Sequence, residues 1–304
     1  MKTDIMITSI SNQELQAAFS ALGAETMSLR DARSGREFLW QGDEHWWGGR
    51  SPILFPITGG LWDGVSRIGN QLYRIPKHGF ASHREWRVVK QTAESVMFAL
   101  TPERGDAEIY PYDYEMRVSY TLVGRALQAD FEVENRGTTT MYFQIGGHPG
   151  IVLPDWKEEH EVDGYLQLEG NPLSLLRAGV QGCIEVTDKA TDGLCRYPVP
   201  LDKDGLVPLS VETFADEALI FDQQISGVKV LDRSQRPLVR VTSGAPVWLF
   251  WSQQGRHCPY VCAEPWYGLP DVQGYVGDIA GRLYIQQVME GETWHGGYCV
   301  EVLQ

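Results

Sequence analysis

The chain has 304 residues, with 40 Asp and Glu against 26 Lys and Arg, and its formal net charge is −14. Hydrophobic residues make up 43% and charged residues 22%, a balance that excludes a disordered chain and a membrane-embedded one. The acidic surplus argues against nucleic acid or an anionic membrane as a partner, because both are bound through a basic surface.

The N-terminal stretch and the cysteines favour a cytoplasmic location. Residues 1–16 contain no apolar run of the length that a signal peptide needs, and the longest apolar run, at 247–251, is far too short for a membrane helix. We therefore expect reduced thiols and no disulfide framework, since the cysteine count is odd and the spacing follows no framework. Cys258 and Cys262 of the HCPYVC segment are expected to be buried structural thiols. The five cysteines are Cys183, Cys195, Cys258, Cys262 and Cys299.

The first patterned segment is ambiguous between helix and strand. Residues 11–14 read Ser-Asn-Gln-Glu, which matches a capping box, and residues 15–22 would follow as a helix. The same residues also alternate in polarity and end at Gly23, which is typical of a strand. Local propensity favours the helix and the neighbouring pattern favours the strand, so both interpretations stay open at this point.

A period of two dominates the rest of the chain. Apolar and polar residues alternate over 114–122 and again over 127–134, with Val123-Gly124-Arg125 between the two runs. This pattern predicts a β-hairpin with one buried face and one solvated face. Many short strands separated by Gly, Pro, Asn and Asp predict an all-β, mostly antiparallel sandwich or barrel in one domain. The other short runs lie at 87–90, 95–100, 238–242, 246–251, 283–288 and 298–303.

Three stretches each place an ionisable side chain where a strand-like run ends. The first leads from PILFPITGG at residues 52–60 to KHGFA at 77–81 and carries His78. The second is QIGGHPG, which carries His148, and the third is VCAEPWYGLPD, which carries Glu264. Rigid scaffolds place catalytic groups at such breaks, although each residue alone is more often a loop histidine or a solvated strand end.

These residue types suit proton transfer better than other site chemistries. The glycines beside His148 lack the GxGxxG spacing of a phosphate cradle, and the chain contains neither a GxSxG elbow nor an HExxH motif. The HCPYVC segment at 257–262 lacks the second cysteine pair of a tetrahedral metal site. A histidine and a carboxylate can divide the roles of general acid and base near neutral pH, and aromatic faces suit sugar rings.

The stretches PILFPITGG, KHGFAS, QIGGHPG and VCAEPWYGLPD, in this order, resemble the aldose 1-epimerase (galactose mutarotase) family, particularly its LacX-like branch. The earlier GAETMSLRD and GREFLWQGDEHWWGG and the late MEGETW extend the resemblance over nearly the whole chain. The resemblance implies a β-supersandwich of the galactose mutarotase-like type that fills residues 1–304 as a single domain. It also implies a strand over residues 14–22 with a bend near Gly23 and Ala24, which demotes the capping box.

The same resemblance implies an isomerase that needs no cofactor and no metal and interconverts the α and β anomers of a free hexose. Its only expected partner is a small monosaccharide, and we expect a monomer or a homodimer. The net negative charge argues against a phosphorylated sugar as substrate, because its phosphate would need Arg or Lys to bind it.

Residue by residue, the family's motifs fall on four positions of this chain. The general acid at the ring oxygen falls on His148, and the general base at the anomeric hydroxyl falls on Glu264. A substrate-binding histidine falls on His78. A substrate-binding aspartate falls on Asp216, with Glu217 as the alternative register.

Other positions leave the sugar contacts open. Trp266 either stacks on the sugar or is a core or rim aromatic. Where the family often has Arg, this chain has Gly60, and Arg67 is a candidate to compensate. Ser82 replaces an Arg after the HGFA stretch, with Arg84 two positions on.

Two rival functions use the same residues differently. The first is a carbohydrate-binding protein without catalysis on the same scaffold, against which the retention of His148 and Glu264 argues. The second is a glycosidase, which needs a pair of carboxylates around the glycosidic bond. Glu264 with Asp216, Glu217 or Asp271 could supply that pair.

Overall fold

The computed structural model describes residues 6–304, and its regular structure is nearly all β-strand. Residues 1–5, which begin the stretch where no signal peptide is expected, lie outside the described residues. Between residues 6 and 304 the only helices are short 3₁₀ turns, so this part of the chain offers no helix able to traverse a bilayer. These turns are Trp62–Gly64, Ala81–His83, Asp106–Glu108, Val180–Gly182 and Ile279–Gly281.

The strands are β1 (Ile7–Ser11), β2 (Leu15–Ser20), β3 (Thr26–Asp31), β4 (Ile53–Leu54), β5 (Val65–Ile68), β6 (Gln71–Arg74), β7 (Arg87–Gln91), β8 (Ser95–Leu100), β9 (Tyr114–Val123), β10 (Ala126–Asn135), β11 (Met141–Phe143), β12 (Ile145–Gly147), β13 (Gly150–Val152), β14 (Gly164–Gly170), β15 (Val207–Pro208), β16 (Leu219–Asp222), β17 (Ile225–Asp232), β18 (Pro237–Thr242), β19 (Val247–Trp251), β20 (Tyr260–Tyr267), β21 (Gln286–Val288) and β22 (Thr293–Val302).

Two sheets hold most of these strands. The larger has nine strands in the order β15-β14-β17-β18-β22-β10-β9-β8-β7. The smaller has six, in the order β16-β19-β20-β12-β4, with β13 also pairing with β20. The pairs within both sheets are antiparallel. The predicted all-β, mostly antiparallel fold class is therefore confirmed.

The predicted hairpin is β9 and β10, which pair from Ala126 opposite Val123 to Asn135 opposite Tyr114. Its alternation works as expected, because one set of side chains is buried in the core and the other carries charge. On the polar face Arg117 reaches both Glu132 and Glu134. The buried set is Met116, Val118, Tyr120, Leu122, Leu127, Ala129, Phe131 and Val133.

The segment with two interpretations is a strand, β2, as the resemblance implies. Its apparent capping box is instead a turn between β1 and β2, in which the side-chain Oδ1 of Asn12 accepts hydrogen bonds from the backbone N–H groups of Glu14 and Leu15. Burial of alternate side chains outweighs local helix propensity. The bend follows as predicted, with positive φ angles of 75° at Gly23 and 48° at Ala24.

Five of the six further strand predictions coincide with strands, namely β7, β8, β18, β19 and β22. The prediction over 283–288 is correct only for its last three residues, β21. Tyr284 interrupts it with a φ of 56°, because the chain turns there after a 3₁₀ turn. The five cysteines, all within the described residues, are free thiols, as predicted.

Candidate active site

Sheet register places His148 opposite Glu264. Gly146 of β12 pairs with Trp266, and Gly150 of β13 pairs with Cys262, both on β20. His148 lies midway between Gly146 and Gly150 in the sequence, and Glu264 lies midway between Cys262 and Trp266. A break between two short strands on the same partner therefore aims the histidine at the carboxylate.

Close packing explains why glycines surround His148. A Cβ atom at Gly146 would lie 2.5 Å from the Trp266 ring, and one at Gly147 would lie 2.4 Å from the Tyr298 ring. Real Cβ atoms do not approach other atoms so closely, so a side chain at either position would displace an aromatic ring. The GG preceding His148 thus lets β12 lie directly against the aromatic wall of the site.

His78 is held at a turn that only an unusual backbone can form. Its φ is 64°, and the next residue, Gly79, has a φ of 73° and would place a Cβ atom 2.1 Å from the Phe55 carbonyl oxygen. The backbone N–H of Gly59 donates to Nδ1 of His78 over 3.1 Å. That hydrogen bond fixes the ring, whose centroid lies 6.0 Å from that of His148.

The central contact is a histidine against a fully buried carboxylate. Nε2 of His148 lies 3.1 Å from Oε2 of Glu264, and the Glu264 side chain is 0% exposed. Although close, the two atoms do not have the geometry of a hydrogen bond. Nδ1 of His148, both oxygens of Glu264 and Nε1 of Trp266 are buried without a hydrogen-bond partner among residues 6–304. Buried polar atoms are costly when unpaired, so this cluster is suited to a polar ligand.

Tryptophans enclose this cluster. The Trp266 ring lies edge-on to His78, with centroids 5.7 Å apart, and is buried. The His148 ring lies 4.9 Å from that of Trp47 and 5.9 Å from that of Trp251. Such apolar walls around few polar groups are typical of small-molecule sites.

Sequence reasoning missed four neighbours of the predicted residues. Trp47 and Trp251 contact His148 but lie in other parts of the chain, so only tertiary packing identifies them. Cys262, treated as a structural thiol, lies two residues before Glu264 on β20, and this spacing places both side chains on one face. Lys77 precedes His78 and is the nearby positive charge.

Burial favours the neutral forms of both central groups. It raises the pKa of the Glu264 carboxyl well above its ordinary value, a shift that the Lys77 charge and the Trp266 indole oppose. It lowers the pKa of His148 to about 3. Burial, together with the charges of His148 and Lys77, also lowers the pKa of His78 well below its ordinary value.

The two pKa shifts favour a resting state in which the carboxyl rather than the imidazole is protonated, the reverse of the forms that the predicted acid and base use in the reaction. In the protein alone, burial favours the protonated carboxyl of Glu264 and the neutral imidazole of His148, because both groups lie in a desolvated environment. A carboxyl beside an imidazole offers one group that can donate a proton and one that can accept it. The pair can therefore both donate and accept one proton.

The structure separates the two candidate substrate-binding carboxylates. Oδ2 of Asp216 lies 2.6 Å from the Arg177 guanidinium, and its side chain is 61% exposed. Oε1 of Glu217 lies 3.8 Å from Nζ of Lys77, and its side chain is 32% exposed. Of the two, Glu217 is therefore the one tied to the residue next to His78.

The position where the family often has Arg is closed in this chain. A Cβ atom at Gly60 would lie 2.6 Å from the backbone carbonyl oxygen of Gln181. The Gln181 side chain accepts a hydrogen bond from the Asp63 N–H and so fixes this loop over Gly60. Arg67 donates to the Val276 carbonyl, and Arg84 is bound to Asp106.

Asp271 is bound to a buried arginine. Its Oδ1 lies 2.9 Å from Nε of Arg282, and its Oδ2 accepts the backbone N–H of Trp62. A cavity of about 540 Å³ is lined by Asp271 and Arg282 together with Tyr275 and other residues, but not by His148 or Glu264. This cavity is therefore separate from the cluster of His148 and Glu264. Because Asp271 is bound to Arg282, it is not free to act as a second carboxylate beside Glu264.

Comparison with known proteins gives consistent matches over nearly the full length. The family model described as "Aldose 1-epimerase" matches residues 6–272. The chromosomally encoded protein LacX of Lactococcus lactis subsp. lactis is 30% identical, over 98% of this chain and 100% of LacX.

Solved structures confirm the galactose mutarotase-like fold. A galactose mutarotase related enzyme from Lactobacillus acidophilus is 28% identical, with a TM-score of 0.87 over 98% of each chain. A galactose mutarotase-like protein from Lactobacillus casei is 24% identical, with a TM-score of 0.86 over 98% of this chain and 100% of the other. This second likeness concerns the fold alone.

Proposed function

Because this chain belongs to the aldose 1-epimerase family, we propose that it is a mutarotase, an isomerase that interconverts the α and β anomers of a free hexose. The proposed catalytic residues are His148 and Glu264, and the proposed substrate-binding residues are His78, Trp266 and a carboxylate of the 216–217 pair. The substrate is a small monosaccharide bound within one galactose mutarotase-like domain that spans residues 1–304.

The observation that carries this proposal is the contact between His148 and Glu264. The two groups lie 3.1 Å apart and carry unpaired polar atoms in an apolar surround, and in this proposal they hold one proton in common. Ring opening of a hemiacetal needs one group that takes the proton of the C1 hydroxyl and one that gives a proton to the ring oxygen. A buried pair that holds one proton between two basic sites meets this need.

The proposed reaction begins with the shared proton moving from Glu264 to His148. Hydroxyl groups of the bound sugar supply hydrogen bonds to the charged forms, which burial alone disfavours. Glu264 then removes the C1 hydroxyl proton, His148 protonates the ring oxygen, and the bond between C1 and the ring oxygen breaks to give the open-chain aldehyde. The reaction so far moves one proton from the histidine to the carboxylate through the sugar.

Reclosure restores both groups. Rotation about the C1–C2 bond presents the other face of the carbonyl, and the former ring oxygen attacks C1 as its proton returns to His148. Glu264 gives its proton to the carbonyl oxygen, which becomes the new C1 hydroxyl. Transfer of the proton from His148 back to Glu264 then restores the starting pair, so atoms and protons balance over the cycle, and the product is the other anomer.

The neighbouring residues position the sugar in this proposal. The hydrogen bond from Gly59 occupies Nδ1 of His78, which leaves Nε2 to donate to a sugar oxygen. The indole N–H of Trp266 is an unpaired donor in the same cluster. Glu217 is the better candidate for the substrate-binding carboxylate, because it contacts Lys77 beside His78, whereas Asp216 points to Arg177.

Polarimetry on freshly dissolved α-D-glucose and α-D-galactose tests the proposal. Wild-type protein is expected to accelerate the approach to the equilibrium rotation in proportion to its concentration. His148→Asn is expected to lose this acceleration, whereas the matched control His257→Asn, which changes another histidine of low exposure, is expected to keep it. Sugar binding without acceleration would identify a binding protein and contradict the proposed activity.

A further inference from the structure

We propose that Cys262, His148 and Glu264 form a site for one Zn²⁺ ion, and that zinc bound there is an inhibitor that competes with the sugar. One potential ligand atom from each of the three residues lies within 4.8 Å of the other two. The metal site itself goes beyond the proposed function, and only its inhibitory effect rests on that function.

The ligand types match zinc better than harder cations. A thiolate, an imidazole and a carboxylate are the three kinds of ligand that Zn²⁺ takes, whereas Mg²⁺ and Ca²⁺ prefer oxygen alone. Three protein ligands would leave the fourth tetrahedral position open, as in catalytic rather than structural zinc sites. Binding releases the thiol proton of Cys262 and the carboxyl proton of Glu264 to solvent. With Cys262 then a thiolate, Glu264 a carboxylate and His148 neutral, the charges of the ion and its ligands sum to zero.

The positions of the side chains need little adjustment. Bond lengths of about 2.0–2.3 Å place the ligand atoms of a tetrahedral zinc about 3.3–3.8 Å apart. His148 Nε2 and Glu264 Oε2 are 3.1 Å apart, and all three ligand atoms lie within 4.8 Å. Shifts of about 1 Å or less would therefore assemble the site, and strand β20 already holds Cys262 and Glu264 on one face.

The buried atoms also lack competing partners. Both oxygens of Glu264 are without a hydrogen bond among the described residues, so binding an ion would break none. Cys262 and Glu264 are 0% exposed and His148 is 8% exposed, so the ion would enter along the histidine. Coordination would occupy the lone pairs that proton transfer requires, and for this reason we expect inhibition rather than activation.

Calorimetric titration of protein without a polyhistidine tag with ZnCl₂ tests the site. We expect one Zn²⁺ per chain, no binding of Mg²⁺, and an affinity at least about 100-fold weaker in Cys262→Ser, since disturbing even the outer contacts of a metal ligand costs about 10–100-fold. The matched control is Cys258→Ser, which alters another buried thiol of the same core cluster. Absence of binding in wild type, or equal weakening in both variants, would overturn the proposal.

Spectroscopy with Co²⁺ keeps the test decisive if Cys262→Ser does not fold. Wild-type protein is expected to show a thiolate-to-cobalt charge-transfer band and the intense visible bands of tetrahedral Co²⁺. A weak octahedral spectrum without the thiolate band would contradict the ligand set. Zinc binding in a protein without mutarotase activity would refute the proposed function and leave the metal site standing, whereas an active protein that binds no zinc would refute the site alone.

Discussion

Two buried carboxylates contact histidine side chains within residues 6–304, and they differ in how fully they are paired. Glu264 faces His148 alone, and both of its oxygens lack a hydrogen bond. Asp163 lies between two histidines: its Oδ1 is hydrogen-bonded to Nδ1 of His160 at 2.5 Å, while its Oδ2 lies 2.7 Å from Nε2 of His257 without the geometry of a hydrogen bond. The side chains of both carboxylates are 0% exposed.

The surroundings of the two carboxylates differ as well. Asp163 directly precedes β14, while His257 lies in the connection between β19 and β20, so this triad ties two loops together. The far nitrogen of His160 contacts the Arg233 guanidinium at 3.0 Å. A histidine against a carboxylate is therefore not in itself a sign of catalysis. The pair proposed to react lies at a strand break and has neither carboxylate oxygen hydrogen-bonded, whereas the triad lies between two loops and has one oxygen hydrogen-bonded.

The largest expected effect comes from Glu264→Gln. This change keeps the shape of the side chain but removes its ability to take a proton, and we expect mutarotation to slow by about 10²–10⁴-fold. The measurement is the rate of change of optical rotation at saturating sugar, with near-ultraviolet circular dichroism to confirm that the fold is kept. Full activity in a folded Glu264→Gln variant would refute the proposed base.

Stability against pH provides a second readout of the same substitution. The raised pKa of Glu264 means that the folded state binds more protons than the unfolded state above the ordinary carboxyl pKa. Stability from this group is therefore present at low pH and is lost as the pH rises toward the folded pKa. Between about pH 6 and about pH 8, urea denaturation is expected to show a smaller loss of stability in Glu264→Gln than in wild type.

For Asp163→Asn we expect the protein to lose stability but to keep its activity. An amide cannot serve both histidines as an acceptor, so at least one buried contact is lost, at a cost of about 1–3 kcal/mol in the free energy of unfolding. Mutarotase activity is expected to stay within about twofold, because the triad does not contact the site. Urea denaturation measures the first effect and polarimetry the second.

A surface carboxylate serves as the control for this substitution. Asp192 pairs with Arg196 but is 46% exposed, so Asp192→Asn is expected to change stability by no more than about 1 kcal/mol. If Asp163→Asn abolishes activity while stability is unchanged, the triad is functional and the distinction between the two carboxylates is wrong.

The sequence predicts the local parts of the fold better than its long-range parts. The hairpin of β9 and β10 is evident because its alternation and its turn are contiguous. The order β18-β22-β10 in the large sheet depends on strands distant in sequence, and no local pattern encodes it. A local pattern can also mislead, as at Tyr284, where the residues resemble a strand but the chain turns with a positive φ.

The candidate site divides in the same way. The breaks at His78, His148 and Glu264 can be recognised from turn residues beside strand-like runs. That His148 faces Glu264 follows only from the register of β12 and β13 on β20. The triad around Asp163 is also not predicted, because the HCPYVC segment is considered for its cysteines and not for His257.

The smallest expected effect separates the two adjacent carboxylates at the rim of the candidate site. Glu217 contacts Lys77 next to His78, so Glu217→Gln is expected to raise KM by about tenfold, the size of one hydrogen bond to a charged group, with kcat nearly unchanged. Asp216→Asn is the matched control, because Asp216 is more exposed and pairs with Arg177, and its KM is expected to stay within about twofold. Initial rates of mutarotation over a range of sugar concentrations give both constants. A raised KM in Asp216→Asn alone would restore the register predicted from the sequence and would show that the carboxylate moves toward the sugar on binding.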